Sequence, residues 1–109
     1  MASKDISTLI ERLEAFEDRL GVRLEGLFAQ VQIPPGSLIV NGELHLQESA
    51  ELDEDIEVVV TIYDSSGRVI AVRNHRIRSE SFFGFEAFSV VFFPFHGQPT
   101  RIRVYPKAR

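Results

Sequence analysis

The apolar residues of the first twenty positions recur every three or four residues. This spacing gathers side chains on one side of a helix, because one helical turn takes 3.6 residues. Gly21 follows the last apolar position and Arg19 lies just before it, as is common at helix ends. The pattern predicts an amphipathic helix from Asp5 to Leu20. Its apolar side carries Ile6, Leu9, Ile10, Leu13, Phe16 and Leu20.

From Val22 onward the period changes to two, which is typical of strands that bury one face. Gly26 interrupts the alternation and predicts a bulge. Turn residues at 64–67 join two alternating stretches into a hairpin. Strands are predicted at 22–33, 38–47, 56–63, 68–78, 85–93 and 101–105. Six or seven strands at this spacing predict a mainly β fold, an immunoglobulin-like antiparallel β-sandwich preceded by one α-helix.

Seven of the nine phenylalanines lie in one short stretch, between Phe82 and Phe95. In a strand, alternate side chains point to opposite faces, and here both faces are apolar. One face holds Phe88, Val90 and Phe92. The other face holds Phe83, Phe85, Val91 and Phe93. A sandwich strand needs only one apolar face, so the second face requires a cover that the opposing sheet does not provide.

The helix and the second phenylalanine face are two apolar surfaces that each need a partner. They can cover one another within one chain or between two chains. A homodimer or larger homo-oligomer is the preferred prediction, with residues 1–21 as the helix and residues 22–109 as the β-sandwich domain. The predicted interface residues are Ile6, Leu9, Leu13, Phe16, Leu20, Phe83, Phe85 and Phe93.

The predicted hairpin resembles a known family. Val60-Thr61-Ile62-Tyr63-Asp64, followed by Ser65-Ser66-Gly67-Arg68-Val69-Ile70, is similar to the strand end and turn of bacterial FxLYD domains. Leu38-Ile39-Val40-Asn41-Gly42-Glu43-Leu44 and the strand 85–91 resemble other parts of these domains, so the resemblance covers roughly residues 37–105. It implies an immunoglobulin-like sandwich with no assigned catalytic activity, and it carries no functional residues over.

Composition narrows the possible function classes. The chain has 12 lysines and arginines against 16 aspartates and glutamates, and its net charge of −4 argues against a general nucleic-acid binder. It has no cysteine, which excludes disulfides and thiolate chemistry. No apolar run has the length of a membrane span, and the first residues lack the apolar core of a secretory signal. We therefore expect a cytoplasmic protein that binds neither nucleic acid nor membranes.

An acidic stretch supplies the only metal hypothesis. Asp53, Asp55 and Glu57 alternate there and are weak calcium candidates, because calcium prefers hard oxygen ligands. A solvated loop that faces the basic strand 73–78 is the preferred interpretation. We therefore predict no bound metal.

Catalytic motifs are missing from the sequence. It contains no nucleophile elbow, no phosphate-binding loop and no His-Glu-x-x-His motif. His45, His75 and His96 are far apart in the chain and are predicted to be exposed. Arg101 and Arg103 alternate with apolar residues, which favours an edge strand over a site for single-stranded nucleic acid.

The preferred hypothesis is a non-catalytic protein–protein interaction or structural module without a cofactor. It self-associates through the N-terminal helix and the phenylalanine-rich strand, and an unknown protein partner is also expected. The alternative hypothesis is a carrier of a small apolar ligand, whose pocket the phenylalanines line.

Overall fold

Alternating burial runs through most of the chain in the computed structural model, which describes residues 2–34, 36–48 and 51–108. The strands are β1 (Ala2–Asp5), β2 (Ile10–Arg12), β3 (Val22–Ile33), β4 (Ser37–Leu46), β5 (Ile56–Tyr63), β6 (Val69–Ile77), β7 (Phe85–Phe92) and β8 (Arg101–Ala108). One α-helix, α1 (Glu14–Leu20), and two 3-10 turns, Ser7–Leu9 and Ser79–Ser81, complete the described elements.

The strands form two four-stranded sheets. One sheet has the order β1-β3-β4-β7 and the other has the order β2-β8-β5-β6. All strand pairs are antiparallel except β2 and β8, which are parallel. The mainly β prediction is confirmed. Its count of six or seven antiparallel strands is wrong for the described residues, because the N-terminal segment adds β1 and β2.

One hydrophobic core lies between the two sheets, and both sheets contribute to it. Each central strand turns every second side chain inward, which is the arrangement of two sheets packed face to face. The fully buried members include Val22, Leu24, Leu38, Val40 and Leu44 from one sheet and Ile56, Val58, Val60, Ile62, Ile102 and Val104 from the other.

The predicted helix from Asp5 to Leu20 is wrong over its first half, because only Glu14–Leu20 is α-helical. The preceding residues pair with strands that are remote in sequence, and the N–H of Ile6 donates to the carbonyl of Ala29 at 2.9 Å. A helix of this length has little stability of its own, so hydrogen bonds offered by two sheet margins prevail.

The predicted end of the helix is confirmed. Gly21 ends α1 in the left-handed region with φ 70°, and its N–H bonds to the carbonyls of Glu17 and Asp18. The predicted bulge is also confirmed, because the pairing of β3 with β4 shifts between Glu25 and Phe28. These two features fix where the N-terminal segment meets the sheets.

Residues 2–12 connect the two sheets along one side of the molecule. β1 lies at the end of one sheet and pairs with β3, whereas β2 lies at the end of the other and pairs with β8. At the opposite side the last strands are β6 and β7, which approach one another without forming a strand pair. None of the described helices has the length and apolar character needed to cross a membrane.

Candidate functional site

The two faces of β7 differ sharply in burial. The inward residues Phe88, Val90 and Phe92 are at most 3% exposed. The alternation predicted from the sequence is therefore confirmed, and the opposite face reaches solvent. We call this outer face and its flanking residues the phenylalanine surface; its members are Phe83 (87% exposed), Phe85 (53%), Val91 (45%) and Phe93 (57%).

Helix α1 does not cover the phenylalanine surface within the chain. It packs instead on β8 and β3, with the Phe16 ring 5.5 Å from the Tyr105 ring. Ile6 belongs to the core, and Leu9 and Leu20 pack against it. The residues predicted to share one interface therefore lie in two separate places, and only Phe83, Phe85 and Phe93 among them are strongly exposed.

A polar rim flanks the phenylalanine surface on β4. The His45 ring stacks on the Phe85 ring with 5.3 Å between centroids and 14° between planes. Its Nε2 lies 3.0 Å from Glu43 Oε1 and its Nδ1 lies 3.4 Å from Glu25 Oε2. The prediction that His45 is exposed is wrong, because this stacking leaves its side chain 28% exposed. His45 thus packs against Phe85 at the border of the phenylalanine surface.

On the β6–β7 side of the molecule no pairing of the described strands joins the two sheets, and the two strands are bridged by side chains. His75 points to the core side of β6, where its ring lies 6.2 Å from that of Phe88 and its Nε2 lies 3.5 Å from Glu86 Oε2. These contacts leave the His75 side chain only 33% exposed, so its predicted exposure is also wrong. Inward-pointing polar residues on an edge strand oppose uncontrolled strand addition. Neighbouring Arg73 is exposed at the same margin.

Exposed apolar residues continue from β7 onto β6. Val69, Ile70 and Val72 are 53%, 39% and 56% exposed. A groove of about 340 Å³ lies between β6 and the chain after β7, and Phe93 forms part of its lining. The phenylalanine surface and the apolar part of β6 are therefore parts of one continuous side of the molecule.

The acidic stretch is engaged in hydrogen bonds with the basic strand. Asp55 Oδ2 accepts from Arg76 Nη2 at 2.6 Å, and Asp55 Oδ1 accepts from the N–H of Ser79 at 3.0 Å. Glu57 accepts from the side-chain amide of Asn74 at 3.2 Å. Within 2–34, 36–48 and 51–108, no group of three or more histidines and carboxylates is placed to hold a metal. The calcium hypothesis for Asp53, Asp55 and Glu57 gains nothing from this geometry.

The arginines of β8 do not lie on an edge strand. β2 pairs on one side of β8 and β5 on the other, so the predicted edge position is wrong. Arg103 Nε donates to Glu11 Oε1 at 3.0 Å, and the guanidinium carbons of Arg101 and Arg103 lie 5.8 Å and 5.2 Å from the centre of the Tyr63 ring. These cations are used to bind the N-terminal segment to the sheet. Arg109, further along the same basic part of the sequence, lies outside the described residues.

One buried charged residue was not expected from the sequence. Glu17 is 1% exposed and accepts hydrogen bonds from the Arg12 guanidinium and, at 3.0 Å, from the N–H of Leu24. Contact with Glu17 raises the pKa of Arg12 above its ordinary value. The spacing of Glu17 in the sequence could have indicated its burial. It lies four residues after Leu13 and three before Leu20, on the apolar side of the helix.

Comparisons with known proteins return nothing for this chain. No family model, no curated protein and no solved structure matches it. The resemblance to FxLYD domains therefore rests on the residues quoted for it.

Proposed function

We propose that the chain is a non-catalytic interaction module that self-associates, with the phenylalanine surface as its contact with a second copy. The observation that carries this proposal is the exposure of Phe83, Phe85 and Phe93 on and beside an edge strand. Large aromatic side chains grouped on an exposed surface are typical of protein interfaces. Ile6, Leu9, Leu20 and Phe16 pack within their own chain. The proposal therefore keeps only Phe83, Phe85 and Phe93 of the predicted interface residues.

The edge position of β7 favours a second copy as the occupant. None of the described strands pairs with β7 on its side away from β4. An antiparallel strand can pair with its own copy across a two-fold axis, and same-face residues then stand opposite one another. With the axis near Phe88, Phe85 would lie opposite Val91 of the second copy. The apolar residues of the two copies would then form one continuous strip.

The charges of β7 allow this pairing. Glu86 is the only charged residue of the strand, and it lies on the inner face near one end. In the two-fold arrangement it faces an apolar residue of the second copy rather than the other Glu86. Because like charges directly opposite one another destabilise a strand pair, this placement removes the main electrostatic obstacle.

We also propose the finer fold assignment, an immunoglobulin-like domain similar to the FxLYD family. Support comes from the β5–β6 hairpin, which begins its turn at the Tyr63-Asp64 pair quoted for the resemblance. Asp64 Oδ1 accepts from the N–H of Ser66 at 2.9 Å and from the N–H of Arg68 at 3.0 Å. This turn geometry gives the aspartate a structural role rather than a catalytic one.

The self-association is tested by sedimentation velocity over a wide range of protein concentration. We expect the unmodified chain to show a dimer or larger closed species whose fraction rises with concentration. The double variant Phe85→Glu, Phe93→Glu should weaken association by at least about thirtyfold, because buried aromatic anchors dominate interface energies. Ile33→Glu is the control, since Ile33 is 64% exposed on β3, a strand that does not pair with β7.

Three outcomes would contradict the proposal. The unmodified chain could remain monomeric at every concentration, or the double variant could associate as strongly as the unmodified chain. Equal loss of association in the Ile33→Glu control would show a general effect of added charge. Urea unfolding of each variant separates loss of association from loss of folding.

The apolar-ligand carrier remains a second prediction. The groove lined by Phe92, Phe93 and Phe95 is the place where phenylalanines would contact such a ligand. Mass spectrometry of gently desalted protein distinguishes the two functions, because a carrier retains its ligand and a self-associating module retains a second copy.

A further inference from the structure

A second apolar feature lies on the opposite side of the molecule, where β2 stops before β8 does. β2 ends at Arg12 opposite Val104, whereas β8 continues to Ala108. Helix α1 follows β2 in the chain and packs along this remaining part of β8. The backbone of a helix forms its hydrogen bonds within the helix, so α1 does not pair with β8 as a further strand would. A space therefore remains between α1 and β8.

The space between α1 and β8 is a pocket of about 380 Å³. This volume lies within the range of small-molecule sites, which is about 300–1,000 Å³. Proline in β8 removes a backbone N–H that could otherwise attract a further strand to this margin. The lining residues are Phe16, Arg19, Leu20, Tyr105, Pro106, Lys107 and Ala108. Apart from the two cations, the lining is therefore apolar or aromatic.

Both cations of the pocket are exposed to solvent, and Glu57 of β5 stands opposite Lys107 in the strand pairing. The side chains of Arg19 and Lys107 are exposed, and neither forms an ion pair with a carboxylate in the described part of the chain. The guanidinium carbon of Arg19 lies 5.8 Å from the centre of the Phe16 ring, so this cation is held at the pocket. An apolar wall with two exposed cations beside it is complementary to a molecule with an apolar body and an anionic end.

We infer that this pocket binds an amphipathic monocarboxylate, such as a medium-chain fatty acid. The acyl chain packs against Phe16, Leu20 and Tyr105, and the carboxylate meets Arg19 and Lys107. This inference is independent of the proposed self-association, because α1 and β8 lie away from the phenylalanine surface.

Calorimetric titration of the full chain with hexanoate, octanoate and decanoate, below micelle formation, tests the inference. Each added methylene should tighten binding by roughly fourfold until the pocket is full, as expected for burial of a CH₂ group. Decanol, which lacks the charge, should bind several-fold more weakly than decanoate. The difference between them should shrink at high salt, because the cations are exposed.

Substitutions locate the site. Arg19→Gln and Lys107→Gln should each weaken decanoate binding by about two- to fivefold, the range of exposed ion pairs. Arg23→Gln is the matched control, since Arg23 is an exposed arginine on β3 outside the pocket. Leu20→Asn provides a second kind of variant, which should weaken binding by removing apolar contact while leaving both cations in place.

The inference is overturned if no carboxylate binds, or if chain length and charge make no difference. It is also overturned if Phe85→Glu abolishes decanoate binding while Arg19→Gln and Lys107→Gln do not change it. That result would place the fatty acid on the phenylalanine surface. Thermal unfolding of each variant confirms that the compared proteins are folded.

Discussion

The two sides of the molecule at which the last strands of the sheets lie differ in structure. On the side of β1 and β2, which we call the closed side, one short segment pairs with β3 and then with β8. Glu17 anchors the helix that follows by bonding to Arg12 and to the backbone of Leu24. Apolar residues of this segment pack against the core, so they are covered on the closed side without a second chain.

The side of β6 and β7, which we call the open side, lacks such a segment among the described residues. Its exposed apolar residues include Phe85 at 53% and Val72 at 56%. His75 on β6 contacts Glu86 and Phe88 on β7, and these side chains bridge the two strands there. Apart from Phe28 and Ile33 on β3, the exposed large apolar residues of the described chain lie on the side where the sheets are not tied together. This is the side on which a second copy can complete the structure.

Removing Glu17 should give the largest effect on the closed side. Glu17→Ala leaves the Arg12 charge and the N–H of Leu24 without their partner, and we expect a loss of about 3 kcal/mol in the free energy of unfolding. Urea unfolding measures this loss. Glu14→Ala is the control on the same helix, because Glu14 is exposed, and it should change stability by less than about 0.5 kcal/mol. Equal losses in the free energy of unfolding for the two variants would show that the Arg12–Glu17 ion pair does not stabilise the closed side.

Acid should weaken the attachment of β6 on the open side. The Arg76 guanidinium, together with the backbone N–H of Ser79, lowers the pKa of Asp55 from 3.8 to about 2. The unfolded chain therefore binds the proton more readily, so this contribution is complete above pH 4 and is lost as the pH falls towards 2. Urea midpoints measured across this interval should fall less in Asp55→Asn than in the unmodified chain. Asp53→Asn, at an exposed position, should behave like the unmodified chain. An identical acid response of all three proteins would contradict the prediction.

Substituting Phe83 should give the smallest effect on folding. Its side chain is 87% exposed, so Phe83→Ser should change the free energy of unfolding by less than about 0.5 kcal/mol at a concentration where the chain is monomeric. A loss above about 1.5 kcal/mol would show that the ring is packed within the chain, and the contrast between the two sides would then be wrong. Dilute urea unfolding followed by tyrosine fluorescence provides the measurement.

Patterns within single strands were readable from the sequence. Alternation in β7 correctly separated Phe88, Val90 and Phe92 from the exposed phenylalanines, because side-chain direction in a strand depends only on position. β5 also has the predicted bounds. Its β-branched residues favour a strand, and nearly all of them are buried. Local chemistry also placed the end of α1 at Gly21.

Pairing between distant segments was not readable. The apolar spacing before residue 14 suits a helix, yet the segment pairs with strands that follow much later in the chain. Nothing in residues 5–12 alone indicates that the margins of β3 and β8 would be free to accept them. The α1–β8 pocket could not be predicted for the same reason, because Arg19 and Lys107 come together only after this pairing.

Hydrogen exchange of the β7 amides at low and high protein concentration tests the central claim most directly. If a second copy pairs with β7, amide protection in Phe85–Phe92 should rise with concentration, while protection in β1 and β2 stays constant. Protection of β7 that does not depend on concentration, in a chain that sediments as a monomer throughout, would contradict the account.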